Sequence, residues 1–152
     1  LDDGLGPALA ARLEARAGSQ LTVDSNYQLS VEDAATVAEH DVVIFADAAV
    51  AGPEPFFFSR LQPEAAVSFS SHSVEPKALL ALAEDLFESK ARGYALGIRG
   101  YEYNEFGERL SRRAATNLDQ ALAFVEQLLE SGEYTQAAAL HHWAPGSDEE
   151  SQ

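Results

Sequence analysis

The sequence predicts an α/β protein with an open, mostly parallel, twisted sheet and helices on both faces. Short apolar segments bounded by turn residues alternate along the chain with helical patterns of about ten residues or more. Strands and helices in that alternation form parallel βαβ units. A chain of 152 residues corresponds to one domain, which we expect over residues 1–132, followed by a polar acidic tail over residues 133–152.

Helical spacing of apolar residues, together with capping residues, predicts four helices. They cover residues 4–17, 31–39, 76–90 and 113–130. Ser30 and Ser111 precede the second and the fourth helix, and Pro76 begins the third, which are positions that these residue types favour. Leu86 is expected on the buried side of the third helix, together with the leucines of the two preceding turns.

Apolar and β-branched segments predict five strands, over residues 20–24, 41–47, 56–61, 65–70 and 93–98. Residues 41–47 give the strongest prediction, because a continuous apolar run closed by a polar residue, here Asp47, is typical of a strand covered on both faces. A helix at the very start of such a fold normally follows a first strand. We therefore expect this strand to precede Leu1 in the intact protein.

Composition argues against several classes of function. The chain has no cysteine, which rules out disulfides, cysteine-based metal sites and thiol catalysis. Its formal net charge of -15 repels phosphate backbones and anionic lipid surfaces, so we expect no nucleic-acid partner and no membrane partner. No apolar run approaches the roughly 20 residues of a bilayer span, and a cytoplasmic location is expected.

Candidate metal ligands stand where predicted strands end. In open parallel sheets, functional groups collect beyond the carboxyl ends of the strands. Asp2 and Asp3 lie in the turn before the first helix, Asp47 closes the strongest strand, and His72 follows another strand. Two carboxylates and an imidazole from three loops suit a divalent transition ion, nickel or zinc rather than calcium. The alternative is that Asp2 and Asp3 cap the helix and that His72 is an ordinary loop residue.

Other catalytic patterns are weaker. The serines around His72 lack the Gly-x-Ser-x-Gly turn that presents the nucleophile of a serine hydrolase. Gly4 and Gly6 lack the third glycine and the preceding strand of a dinucleotide-binding loop. His141 and His142 are adjacent, so their side chains point in different directions, and they are interpreted as surface residues.

Several segments of the chain share their pattern with one known family. DDGLGPALAARL (residues 2–13) carries an acidic-Gly-x-Gly motif that opens a helix, and DVVIFADAA (41–49) is a strand with a terminal Asp. SSHSVEPKALLAL (70–82) carries a His before a helix, and FGERLS (106–111) is a turn before the last helix. These segments resemble the maturation endopeptidases that trim the large subunit of nickel-iron hydrogenases. The chain departs from the family pattern at Tyr27 and Arg112, where relatives have His and Pro.

The resemblance implies the phosphorylase/hydrolase-like form of the α/β fold, a function and a set of site residues. It implies an endopeptidase that removes the C-terminal extension from the nickel-loaded precursor of a hydrogenase large subunit. By position, Asp3, Asp47 and His72 would be the metal ligands. The nickel would be supplied by the substrate, and no permanently bound metal is expected. Asp24 would stand where relatives carry an acidic group proposed for the cleavage step.

Two alternatives from other classes stay open at this point. One is a non-catalytic acidic α/β binding module, in which the Asp and His side chains are solvated loop groups. The other is a hydrolase with its own zinc, which would use the same ligand types but would hold the ion tightly. Metal content separates the zinc enzyme from the maturation endopeptidase, and the effect of Asp47→Asn on activity tests the binding module.

Overall fold

The sheet is built from three strands. The computed structural model describes residues 1–16, 21–25, 28–65, 74–103 and 109–145. Within them, the strands are β1 (Val42–Ala49), β2 (Phe56–Leu61) and β3 (Arg92–Arg99), in the spatial order β1-β3-β2. The strands predicted over residues 41–47, 56–61 and 93–98 are therefore confirmed, and the mixed α/β class is confirmed with them.

β1 and β3 form the parallel pair that the alternation of strands and helices predicts. The Arg92 amide donates to the Asp41 carbonyl at 2.9 Å, and the Gly100 amide donates to the Ala49 carbonyl at 3.0 Å. The second bond extends the pairing beyond the predicted end of the strand. Asp47 therefore lies inside β1, two residues before its end, and the prediction that it terminates the strand is wrong.

β2 runs antiparallel to β3. The Arg99 amide donates to the Pro55 carbonyl at 3.1 Å, and the Arg60 guanidinium lies 5.5 Å above the centre of the Tyr94 ring. The start of β2 therefore lies beside the end of β3, and the end of β2 lies beside the start of β3. The residues of β1 are half-buried apart from the exposed Asp47, although burial on both faces was expected. The reason is its place at one end of the described strand order, since a terminal strand has a neighbour on one side only.

Five helices occupy the described residues: α1 (Leu5–Glu14), α2 (Asp33–Ala38), α3 (Pro76–Phe87), α4 (Arg112–Ser131) and α5 (Tyr134–Leu140). The first four confirm the predicted helices. Ser111 caps α4 as predicted, because its hydroxyl accepts a hydrogen bond from the Ala114 amide at 3.2 Å. Leu86 is 58% exposed and not buried as expected, because α3 ends one residue later, with Glu88 in the left-handed conformation. No helix of the described residues is long and apolar enough to cross a membrane.

Three other predictions need correction or lie outside the described part. Residues 21–25 have no regular structure, so the described part of the strand predicted over residues 20–24 is wrong; among the residues that the structure describes, this short apolar stretch pairs with no strand. All but the first residue of the strand predicted over 65–70 lies outside the described residues. The region predicted as a polar tail contains α5, and Trp143 beyond it packs on Phe57 with ring centres 5.2 Å apart.

The residues form two compact units, each with its own core. The first unit comprises Leu1–Ser25, Ala46–Ser59 and Leu96–Gln152. In it α1 packs on α4, and the ion pairs Arg12–Asp119 and Arg16–Glu126 link the two helices at 2.5 and 2.6 Å. Its buried apolar side chains include Leu5, Leu9, Leu118, Leu122 and Val125.

The second unit comprises Asn26–Phe45 and Arg60–Ala95. Its core is formed where α2 packs on α3. The buried residues of this core are Ala34, Val37, Val74, Ala78, Leu79, Leu80 and Ala83. The Asp33 carboxylate accepts a hydrogen bond from the Ser30 amide at 2.8 Å, which fixes the chain just before α2.

Candidate functional site

Asp2 is a buried carboxylate at the entrance to α1. It is 0% exposed, and its amide donates to the Glu102 carbonyl at 2.7 Å. One carboxylate oxygen accepts from the amides of Tyr101 and Glu102 at 2.7 and 2.9 Å and from the Ser111 hydroxyl at 2.7 Å. The other accepts from the Ser111 amide at 2.8 Å. Asp2 therefore joins three parts of the first unit: the chain before α1, the segment after β3 and the cap of α4.

These hydrogen bonds determine the charge state of Asp2. Burial raises the pKa of a carboxyl group, but the hydrogen bonds from Ser111, Glu102 and Tyr101 outweigh this effect, so the pKa of Asp2 lies below its ordinary value. Asp2 is then ionised at neutral pH, with its lone pairs used inside the protein. It holds the structure together and is not available as a ligand for a metal ion.

Asp3 is the neighbouring residue with the opposite surroundings. Its side chain is 79% exposed, and one carboxylate oxygen lies 3.3 Å from the amino group of Leu1. Asp2 and Asp3 both lie in a 3-10 turn, Asp2–Gly4, that leads directly into α1. Because the buried Asp2 fixes this turn, the carboxylate of Asp3 is held at the surface.

Asp47 is the exposed residue of β1, and α1 begins next to it. Gly6, in the first turn of α1, lies so close to β1 that a Cβ at this position would be 2.9 Å from the Ala46 carbonyl oxygen and 3.5 Å from the Asp47 Cα. A glycine is needed for this close approach. One Asp47 oxygen accepts from the Ala48 amide at 2.8 Å. The contact at Gly6 brings the turn that carries Asp3 next to the strand that carries Asp47.

The Tyr103 hydroxyl lies near all three acidic residues, Asp2, Asp3 and Asp47. Its hydroxyl donates to the Ala49 carbonyl at 3.1 Å, two residues beyond Asp47 on β1. Burial raises the pKa of the Tyr103 phenol, and the negative charge of Asp2 raises it further. The charges of Asp47 and Asp3 act in the same direction, against the opposing charge of Arg99. All three carboxylates therefore lie near enough to affect this one hydroxyl.

The segment after β3 is fixed by a second set of contacts around the Tyr101 ring. The Tyr101 hydroxyl donates to the Glu54 carboxylate and accepts from the Asn117 side-chain amide at 3.0 Å. The Arg113 guanidinium lies 4.0 Å above the ring centre and also pairs with Glu54. The hydrogen bond from Tyr101 lowers the pKa of the exposed Glu54, and the charge of Arg113 adds to this. This polar cluster connects Tyr101 with α4 and with Glu54, in the link between β1 and β2.

The remaining sequence predictions lie elsewhere or outside the described part. His72 falls within residues 66–73, which are outside the described residues, so its convergence with Asp3 and Asp47 stays a prediction. Asp24 is exposed in the irregular segment 21–25, and its role in cleavage also stays a prediction. In the described ranges, no three His, Asp or Glu side chains are grouped so that they alone could hold a metal ion.

The arrangement offers two exposed carboxylates and one half-buried phenol. Oxygen ligands from Asp3 and Asp47 would supply part of the shell of a divalent ion. Sequence reasoning missed Tyr103, because the segment after β3 was recognised only as rich in Gly and Tyr. Its position after a predicted strand end was the signal that could have found it.

Comparison with known proteins places the fold. No protein-family model and no curated protein match the sequence. Two solved structures do match in three dimensions. The chain is similar to HycI, a NiFe hydrogenase maturation protease from Thermococcus kodakarensis KOD1, with a TM-score of 0.63, 18% identity, and coverage of 86% of this chain and 85% of that one. It is also similar to HybD, a hydrogenase maturating endopeptidase from E. coli, with a TM-score of 0.56, 17% identity and coverage of 86% of both chains. The chain has the fold of these hydrogenase maturation proteases.

Proposed function

We propose that this protein is an endopeptidase that removes the C-terminal extension from the nickel-loaded precursor of a nickel-iron hydrogenase large subunit. The observation that carries the proposal is the fold shared with two hydrogenase maturation proteases over 86% of the chain. The resemblance of the segments that contain Asp3, Asp47 and His72 supports it independently of the fold. The cytoplasmic location expected from the sequence belongs to the same proposal.

In this proposal, Asp3, Asp47 and His72 recognise the nickel that the precursor brings. Asp3 and Asp47 are exposed, and the close approach at Gly6 places the elements that carry them side by side. Carboxylate and imidazole groups suit nickel, and an ion with these three ligands keeps positions open for ligands from the precursor. The nickel is part of the substrate, so the enzyme binds a precursor only after the metal has been inserted. The protease then recognises nickel because its side chains complete the coordination shell of the precursor's ion, and it needs no bound ion of its own.

Cleavage requires a water molecule to attack the scissile carbonyl carbon. An ion bound between protease and precursor would orient the precursor segment and polarise the bond. Asp24 is the residue that the resemblance assigns to the cleavage step, and its carboxylate is exposed and free to approach a substrate. In this role it would accept a proton from the attacking water.

The experiment that tests the proposal compares two forms of one precursor. The protein is incubated with hydrogenase large-subunit precursor prepared with and without nickel, and the masses of the products are measured. Release of one C-terminal peptide from the nickel-loaded form alone is the expected result. Equal cleavage of both forms would remove the role in nickel recognition, and no cleavage of either form would remove the peptidase assignment.

Metal analysis of the purified protein separates this proposal from a zinc hydrolase. With the nickel supplied by the substrate, the protein should contain well under one metal ion per chain, and treatment of the enzyme alone with a chelator should leave the later cleavage rate unchanged. One tightly held zinc per chain, with loss of activity on its removal, would instead identify a zinc enzyme.

A further inference from the structure

The Tyr103 phenol is the polar group near the candidate ligands to which the proposed function assigns no role. Its hydroxyl lies beside Gly100, where a Cβ would collide with the Tyr103 oxygen and would lie 2.7 Å from the Asp2 Cβ. Gly100 therefore leaves the space that this hydroxyl occupies. Because Asp2 is buried and fully hydrogen-bonded, one side of the phenol rests on a rigid part of the protein.

The position of the hydroxyl along β1 brings it within reach of a substrate bound at Asp47. It donates to the Ala49 carbonyl, which also accepts from the Gly100 amide at 3.0 Å. Ala49 follows Asp47 by two residues, which corresponds to about 7 Å along a strand. An extended peptide covers this separation in two residues, so a substrate held at Asp47 through its ion can also contact Tyr103. The hydrogen bond from Tyr103 to Ala49 is long at 3.1 Å, and the Ala49 carbonyl keeps the Gly100 amide as a second donor. The Tyr103 hydroxyl can therefore leave Ala49 and donate to a substrate oxygen.

Burial and Asp2 keep the Tyr103 hydroxyl protonated. Burial raises the pKa of the Tyr103 phenol, and the charge of the buried Asp2, which is not a nickel ligand, raises it further. A phenol that stays protonated can donate a hydrogen bond to an oxygen that gains negative charge, and it does so at no cost of ionisation. The exposed acids around it could not provide this donor, because an ionised carboxylate only accepts hydrogen bonds.

We propose that the Tyr103 hydroxyl is a catalytic residue that donates a hydrogen bond to the carbonyl oxygen of the scissile peptide bond. The inference rests on the proposed function and adds one named group to it. During hydrolysis the water oxygen bonds to the carbonyl carbon, the carbonyl electron pair moves to the oxygen that faces Tyr103, and the C–N bond then breaks. One proton of the water leaves with the amine, the other is lost from the new carboxylic acid, and Tyr103 keeps its own proton throughout.

Tyr103→Phe tests this role, because it removes the hydroxyl and keeps the ring. Loss of one donor to a developing oxyanion lowers kcat by about 100-fold or more. We expect a decrease of this size in the single-turnover cleavage rate of nickel-loaded precursor, measured with the full chain in excess, and a change of less than about threefold in the half-saturating enzyme concentration. Tyr101→Phe is the matched control: it loses hydroxyl contacts with Glu54 and Asn117 in the same segment. It should lower the melting temperature and leave the rate below that temperature within about threefold.

The outcomes distinguish this inference from the proposed function. If the wild-type chain cleaves the nickel-loaded precursor and Tyr103→Phe cleaves it equally fast, the inference fails and the proposed function stands. A Tyr103→Phe variant that loses rate only in parallel with its melting temperature, as Tyr101→Phe would near its own transition, shows a structural role and also overturns the inference. A wild-type chain that cleaves no precursor overturns both.

Discussion

Two adjacent carboxylates at the start of the chain have opposite surroundings. Asp2 is 0% exposed and accepts four hydrogen bonds, from the segment after β3 and from the cap of α4. Asp3 is 79% exposed, and Asp47 on the neighbouring strand is exposed as well. The same chemical group therefore serves two purposes within one short region. Asp2 fixes the backbone, and Asp3 and Asp47 are left for chemistry at the surface.

The difference shows how a site with exposed ligands can still be well defined. Exposed carboxylates gain no fixed position from packing, so their geometry depends on the backbone that carries them. Asp2 supplies that rigidity on one side, and the close approach of Gly6 to Ala46 supplies it on the other. The following predictions test this division of roles by changing one side of it at a time.

The largest expected effect is the loss of stability in Asp2→Asn. An amide cannot replace a carboxylate that accepts on both oxygens, because its NH2 group must face at least one of the four donors that now point at Asp2. We expect a decrease of about 3 kcal/mol in the free energy of unfolding, measured by urea denaturation. Asp3→Asn is the control and should change this free energy by less than about 0.5 kcal/mol. Equal effects of the two substitutions would contradict the division of roles.

A smaller loss is expected for Ser111→Ala. The Ser111 hydroxyl donates to Asp2 at 2.7 Å and accepts from the Ala114 amide at 3.2 Å, so the substitution removes a helix cap and one of the bonds to Asp2. The expected decrease is about 1–2 kcal/mol in the free energy of unfolding. Thr116→Ala is the control on the same helix, where an exposed hydroxyl bonds to the Arg112 carbonyl. An unchanged free energy of unfolding in Ser111→Ala would show that the cap contributes no stability.

The smallest effect in this series is the pH dependence that Asp2 adds to stability. The pKa of Asp2 is lower in the folded protein than its ordinary value, so its contribution is fully present above the ordinary pKa of about 4. The contribution is lost as the pH falls from there through the lower folded value. Protonation leaves the shape and one good acceptor in place, so it costs less than replacement by Asn. Unfolding free energies measured from pH 6 down to pH 2 should fall less steeply for Asp2→Asn than for wild type; parallel curves would contradict the assignment.

Sequence patterns correctly predicted those helices and strands that carry a complete pattern within their own residues. α3 and α4 carry apolar stripes and N-terminal signals, and β1 carries a continuous apolar run, so each could be placed from its own residues. The strand predicted over residues 20–24 failed, because a short β-rich stretch forms a strand only where another strand can pair with it. The sequence does not contain that information locally. α5 was missed because residues 133–152 were interpreted as one polar tail, although its own segment, YTQAAAL, contains Ala and Leu, which favour a helix.

The candidate site was predictable only in part. The rule that side chains at the ends of parallel strands collect together selected Asp3 and Asp47, and both are exposed. The same rule gave no means of separating Asp2 from Asp3, because the partners of Asp2 are about a hundred residues away in the sequence. The role of Tyr103 likewise depends on contacts with β1 and with the turn before α1. Such long-range contacts become visible only in the folded chain.

The most direct test of the central claim is the cleavage of nickel-loaded precursor by Asp47→Asn. Asp41, immediately before the first residue of the same strand, is also exposed, and Asp41→Asn is the matched control. If Asp47 recognises the nickel of the precursor, Asp47→Asn should slow the release of the C-terminal peptide at least about 100-fold, with an unchanged melting temperature, while Asp41→Asn cleaves at the wild-type rate. Wild-type cleavage by Asp47→Asn would show that this carboxylate has no part in the reaction and would contradict the account.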